Sequence, residues 1–458
     1  MLDRMINPKP ALSASQQIFS NRALKAMIVP LLIEQLLQMV VGIADTLMVS
    51  YAGEATVSGV SLDTMLYTIF IYLFTAIATG GAVIVSQYIG SGNRDGANQA
   101  AAQVYRLAGI VSAVCMVALL LLGRSVLQLL YPTVEPAVMS ACRTYLWIVT
   151  LSFPANAIYN AGAALYRSMG RTRTTMYVSV AMNLLNVAGN AIGIFVFHAG
   201  AAGVAWPTTL SWYFAAVTMS VLCMNDKNQV VLKPRLALSS DKAMRRRITG
   251  IAIPTSIENT LFQLAKVVLG ALIATFGTSQ IAANGIGQTL WSLAACMCVS
   301  LSPVFTTVIG QCMGAHDAEA ADWYMRKLLR LSLLLAFVWN ALVLALTPVL
   351  LPMYSITAET KRLVWMIVLI HNSFAAVIQP FSMPLSAGLR AAGDAKFAMW
   401  SSIFATVLCR TLLSFILGLW MGMGVIGIAL AMGIDWCIKG ALDIWRWRSG
   451  KWKEFSLI

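Results

Sequence analysis

The sequence predicts an all-α polytopic membrane protein: twelve transmembrane helices in two parallel six-helix repeats around a central cleft. Three observations carry this expectation. The 458 residues are 59% hydrophobic and only 11% charged, whereas a soluble globular domain carries about 25% charge. Twelve apolar runs are each long enough to cross a ~30 Å hydrocarbon core. Short motifs of the first half return in the second at a nearly constant offset.

The runs lie near 24–49, 57–89, 96–123, 139–164, 173–197 and 201–224, then near 248–276, 281–310, 326–349, 362–388, 397–420 and 424–445. Several exceed an upright crossing, which predicts tilt or extension beyond the bilayer. The first twenty residues are polar and mixed, so no cleavable signal peptide is expected and the first run is retained. Most of the eight cysteines sit within the runs. Cys296 and Cys298 form a C-x-C with no accompanying His or second Cys pair, so packing is favoured over a metal site.

The formal charge of +14 is a matter of topology. The N-terminus, every second loop and the C-terminal end hold 26 of the 32 Lys and Arg; the tail group counts Lys439, Arg446, Arg448, Lys451 and Lys453. The opposite loops hold Arg124, Arg143, Lys361 and Arg362, and Lys266 and Arg410 lie within runs. The positive-inside rule then puts both termini in the cytoplasm of a multi-pass plasma-membrane (cell inner membrane) protein, and the basic excess no longer points to nucleic acid. The ending "RWRSGKWKEF" reads as a basic, aromatic interfacial anchor.

The repeat is explicit. "IVPLLIEQLLQ" (28–38) returns as "AIPTSIENTLFQ" (252–263), pairing Pro30 with Pro254 and Glu34 with Glu258 at an offset of 224. "SQYIGSGNRDGA" returns as "IGQCMGAHDAEA" at 224, "LYRSMGRT" as "GLRAAGDA" at 223, and "GAAGVAW" as "GMGVIGIA" at 224. Six runs per half, an even number, make the repeats parallel. The expected organisation is a cytoplasmic segment 1–23, a lobe 24–224, a cytoplasmic linker 225–247, a second lobe 248–445 and a basic tail 446–458. Two facing bundles that rock about a cleft describe a transporter.

Charges inside the runs cost several kcal/mol unless paired, protonated or wet. Asp45 lies deep in the first run and is expected to face the bundle interior. Glu34, eleven residues earlier, and its mate Glu258 are read as reaching the inner interface. Asn183, Asn186 and Asn190 recur at i, i+3, i+7; they either bond between helices or line the cavity of Asp45. Arg410 and Asp435 lie at equal distances from the turn "GMG" (422–424), so antiparallel helices bring them to one depth as a structural ion pair. Lys266 has no sequence-local partner: it snorkels or neutralises a carboxylate across the cleft. His371 reads as a packed polar residue. Gln38, Glu258, Lys266 and Gln379 complete the candidate cleft polar groups.

Together, "ADTLMVSYAG", "SQYIGSG" with "IGQCMGA", "GLRAAGD", "FGTSQIAANGI" and "RSGKWK" resemble the multidrug and toxic compound extrusion (MATE) family over about 22–453. The resemblance implies export of bulky, often cationic, amphipathic drugs or metabolites by alternating access, as antiport against inward H⁺ or Na⁺. It implies coupling at Asp45, fifteen residues after a helix-bending Pro30, with Asn186, Asn190, Thr208 and Tyr145 around it. Asn190 departs from the pattern, an amide replacing a carboxylate. A second set of family carboxylates falls on Phe262 and Gln379, so coupling through the second lobe is not expected. One carboxylate among neutral ligands favours H⁺, with Na⁺ at Asp45 as the alternative; no other metal, no cofactor and no catalytic residues are expected. The expected partners are small-molecule substrates and membrane lipids, without nucleic acid, and the protein is read as a monomer. A flippase for a lipid-linked precursor is the competing transporter reading, but it wants a basic cleft for which only Lys266 and Arg410 are candidates. An intramembrane enzyme is the remote alternative. His198, His316 and His371 are scattered, and no H-E-x-x-H or paired-Asp motif occurs.

Overall fold

Every regular element among the described residues is helical. The computed structural model describes residues 6–13, 16–132, 134–354 and 356–458. The first half comprises α1 (Asn21–Ser50), α2 (Glu54–Gly90), α3 (Arg94–Leu130), α4 (Pro136–Thr150), α5 (Phe153–Ser168), α6 (Thr172–Val196) and α7 (Gly200–Cys223). Then come α8 (Lys242–Ala274), α9 (Thr278–Gly314), α10 (Ala318–Leu350), α11 (Ala358–Val377), α12 (Gln379–Ala391), α13 (Ala395–Trp420) and α14 (Gly424–Arg448).

Nine of these helices are individually long and apolar enough to span a membrane, and α11 with α12 makes a tenth, bent by 65°. The bend falls at Ile378, just before Pro380, whose ring cannot continue the hydrogen-bond ladder. With the pair α4–α5, interrupted at Leu151–Ser152, and α7, the helices group into the twelve segments that the sequence predicts.

Local chemistry repeats between the halves. Asn93 caps α3 by accepting from the Gly96 N–H at 2.8 Å, and Asp317, 224 residues on, caps α10 from the Ala320 N–H at 2.8 Å. The residue before each cap is left-handed: Gly92 at φ 71° and His316 at φ 56°. The second repeat thus tolerates a side chain where the first uses the residue that adopts this conformation without steric cost.

The chain divides into two compact units, Lys25–Ser256 and Met1–Leu24 with Ile257–Ile458. The boundary falls inside α8, two residues past Pro254. In the first unit α2 packs against α3, α4 and α5, and α6 against α7. The segment 225–247 is docked on α3. Asn98 accepts from the Val231 N–H at 2.7 Å, Gln103 donates to the Ser239 carbonyl at 2.8 Å, and Val230, Val231 and Leu232 are buried.

In the other unit α9 packs against α10, α11 and α12. The N-terminal segment lies along α10. The Tyr324 hydroxyl donates to the Phe19 carbonyl at 2.8 Å and accepts from its N–H at 2.9 Å, and Trp323 Nε1 donates to the Pro10 carbonyl at 3.1 Å. The aromatic ending is only partly an anchor. Trp445 is exposed, but Trp452 is fully buried and donates to the Trp447 carbonyl at 2.9 Å. Lys439, grouped above with the tail, is buried inside α14.

Candidate functional site

The first unit builds its cavity from the approach of α6 to α7. A Cβ on Gly193 would lie 2.1 Å from the Gly203 carbonyl oxygen, and one on Gly189 would lie 2.6 Å from Pro207 Cβ. Only glycine lets these backbones touch. A π-helical turn, Ile192–Val196, follows directly; such turns are frequent at functional sites. The contact brings the Asn183–Asn186–Asn190 stripe beside Thr208.

Asp45, on α1 five residues before its end, is half-buried and lines a cavity of ≈ 560 Å³ together with Tyr145, Asn183, Asn186, Thr208 and Trp212. Asn190, fully buried, donates from Nδ2 to Asp45 Oδ1 at 3.0 Å, and its own Oδ1 is buried without a partner. When the Asn186 amide is assigned with its nitrogen towards the carboxylate, it reaches both Asp45 oxygens, at 3.1 and 3.2 Å, and its oxygen accepts from Thr208 Oγ1 at 3.0 Å. That orientation satisfies both ends of the amide. No Lys or Arg is among the residues that line this cavity. Tyr145 lines it without bonding to Asp45. Pro30 sits inside α1, buried, fifteen residues before Asp45, and Gln38 is exposed on the same helix.

Two buried carboxylates within the runs, Asp63 and the fully buried Asp443 of α14, escaped the sequence reading. Asp63 on α2 is 1% exposed, accepts from Cys142 Sγ at 3.1 Å, and keeps Oδ2 without a partner. Its signal was the charge in "SLDTM", as visible as that of Asp45.

Glu34 and Glu258, read above as reaching the inner interface, each have basic partners within their own unit. Glu34 is 3% exposed and pairs with Arg167 at 2.8 Å, with the Thr175 hydroxyl at 3.4 Å. Glu258 pairs with Arg390 at 2.9 Å and Lys439 at 3.2 Å and accepts from Ser402. Each glutamate thus ties its unit's leading helix to the arginine that the repeat predicts. Removing the basic partner of such a carboxylate would leave a poorly solvated charge unpaired.

Arg410 and Asp435 form a buried ion pair through Nε, and Thr406 Oγ1 adds a contact at 3.5 Å. π-helical stretches, Ile403–Cys409 and Ser414–Trp420, flank Arg410 on α13. Lys266 is exposed and forms no ion pair among the described residues. Its ammonium lies 5.5 Å from the centre of the Phe262 ring, which also carries the Arg410 guanidinium at 5.4 Å. Both cations line a cavity of ≈ 110 Å³. Gln379 is fully buried at the start of α12, donates to Met383 Sδ at 3.5 Å and lines neither cavity. His371 is 3% exposed, with both ring nitrogens unpartnered and its ring 6.2 Å from Trp436.

The family model MatE matches residues 30–192 and 254–416, two stretches that are again offset by 224. The chain belongs to the MatE family. It is similar to the "Uncharacterized transporter YisQ" of Bacillus subtilis, with 27% identity over 95% of this chain and 98% of that protein. It is also similar to the "Probable multidrug resistance protein NorM" of Thermotoga maritima, with 25% identity over 94% and 92%. Among solved structures it matches MATE in complex with MaL6 at TM-score 0.88, with 17% identity over 97% of each chain. It matches equally a MOP superfamily transporter from Pyrococcus furiosus, reported under the words "Reverse polarity of binding pocket suggests different function", at TM-score 0.88 and 17% identity over 97% of each chain. At that identity the structural likeness speaks for the fold. As a MatE protein the chain is a multi-pass membrane transporter of the multidrug and toxic compound efflux type.

Proposed function

We propose that this MatE protein exports amphipathic, often cationic, small molecules by antiport against H⁺ through alternating access, with both termini cytoplasmic. The observation that supports this most is the cavity of the first unit, with a single carboxylate and no lining cation. Asp45 would carry the proton. Loaded, it is a neutral acid in a mostly apolar wall; unloaded, it attracts a cationic solute. Asn190 and Asn186 donate to it and would hold the carboxylate when the proton has left. Pro30 leaves α1 without one backbone donor, so the helix can bend below the site. Two six-helix lobes would follow the two units.

Na⁺ is the competing coupling ion, favoured by one observation. Asn190 Oδ1 is buried beside Asp45 and has no partner, an oxygen that could turn to a cation. The test is dye export from proteoliposomes. Export driven by a pH gradient in Na⁺-free buffer supports the H⁺ reading. Export driven only by an inward Na⁺ gradient at equal pH on both sides would reverse it.

A further inference from the structure

The cavity of the second unit stands at the same place in its repeat as the cavity around Asp45. At an offset of 224, Asn186 corresponds to Arg410, Thr208 to Met432, Val204 to Ile428 and Thr64 to Gln288, and all eight line their respective cavities. The position of Asp45 falls on Leu269. One framework therefore presents an acid in one unit and bases in the other.

The second cavity lacks a counter-ion. Lys266 and Arg410 line it, and no Asp or Glu does. Asp435 neutralises Arg410 from behind, fully buried and outside the lining. Lys266 has no carboxylate among the described residues. The Phe262 ring holds both cations by its face, which sets two positive charges side by side against one negative. Trp291, also in the lining, keeps an indole N–H without an acceptor, and its ring stacks on Trp436 at 6.3 Å. The remaining polar lining is the neutral amides of Asn284 and Gln288. An ammonium without a carboxylate, beside a buried indole N–H without an acceptor, is complementary to an acceptor that carries negative charge.

We propose that the second unit's cavity binds the acid group of an anionic or zwitterionic aromatic solute, with Lys266 as its charge partner, Trp291 as a further donor and Phe262 as the apolar wall. It rests on the export reading only for the solute's passage. Binding itself is measurable without transport, so a failure of one leaves the other standing.

The experiment titrates the full-length protein, in phosphatidylcholine nanodiscs, with 1-naphthoate and its neutral isostere 1-naphthamide by calorimetry. Naphthoate should bind wild type at least about tenfold more tightly than naphthamide. Lys266→Gln should erase that ratio, and Lys266→Arg should keep most of it. The ratio compares two ligands on one sample, so a misfolded fraction cancels. An equal response to acid and amide, no naphthoate binding to wild type, or a full ratio in Lys266→Gln overturns the proposal. Displacement of naphthoate when the nanodiscs also carry phosphatidylglycerol would hand the site to a lipid headgroup and overturn the solute reading.

Discussion

Two cavities, one in each unit, occupy equivalent repeat positions and differ in charge. Around Asp45 a carboxylate receives amide donors; around Lys266 and Arg410 cations share a phenyl ring. The backbone devices are common to both. Gly193 meets Gly203 in the first unit, and Gly427 meets the backbone at Leu417 and Gly418 in the second, so both helix pairs close through small residues. The lesson is that a repeat conserves the packing that makes a cavity, while the few side chains that line it are free to diverge. Packing is enforced by contact along whole helices, whereas cavity polarity changes with a single substitution.

The comparison breaks most sharply at Asp45. Asp45→Asn should lower export of a cationic dye by about 100-fold, with undiminished protein in the membrane, because an amide neither carries the proton nor attracts the cation. Wild-type export rates in that variant would remove Asp45 from the mechanism.

The next effect is structural and confined to the second unit. Arg410→Gln or Asp435→Asn leaves one buried charge unpaired, a loss of roughly 3–5 kcal/mol, and should cut the monodisperse yield in detergent. Exchanging the two residues should recover part of it; strictly additive losses in the double variant would show that the pair is not coupled.

Gly193→Val and Gly427→Val test the shared framework. Each forces a side chain into backbone, at about 1–3 kcal/mol. The first should impair dye export by parting Asn186 from Thr208, and the second should weaken naphthoate binding. Unchanged dye export in Gly193→Val, or unchanged naphthoate binding in Gly427→Val, would show that the close helix contact does not shape that unit's cavity.

The smallest expected change is a gain. Asn190→Asp sets a second carboxylate beside Asp45 and should raise Na⁺-driven export a few-fold relative to H⁺-driven export, read as the ratio of initial rates under the two gradients. An unchanged ratio would mean that local charge at Asp45 does not choose the ion.

Hydropathy, loop charge and the 224-residue repeat determined the class of fold from sequence alone, because a bilayer dictates segment length and composition directly. The same reading found Asp45 and the pairing of Arg410 with Asp435, since a charge in an apolar run is conspicuous and a tight turn sets depth. Tertiary structure decided the rest. That the run 139–164 is interrupted between α4 and α5, and that α11 breaks at Ile378, depends on local ladders that apolar composition does not encode. Arg167 and Arg390 were counted as loop charges, yet they reach 133 and 132 residues along the chain to Glu34 and Glu258. No local pattern carries such a distance. Asp63 and the Asp45 carboxylate look alike in sequence, but one lies sealed between helices against Cys142 and the other opens on a cavity. Which side of a helix meets a neighbour, and which meets space, is a property of packing, and only the folded chain expresses it.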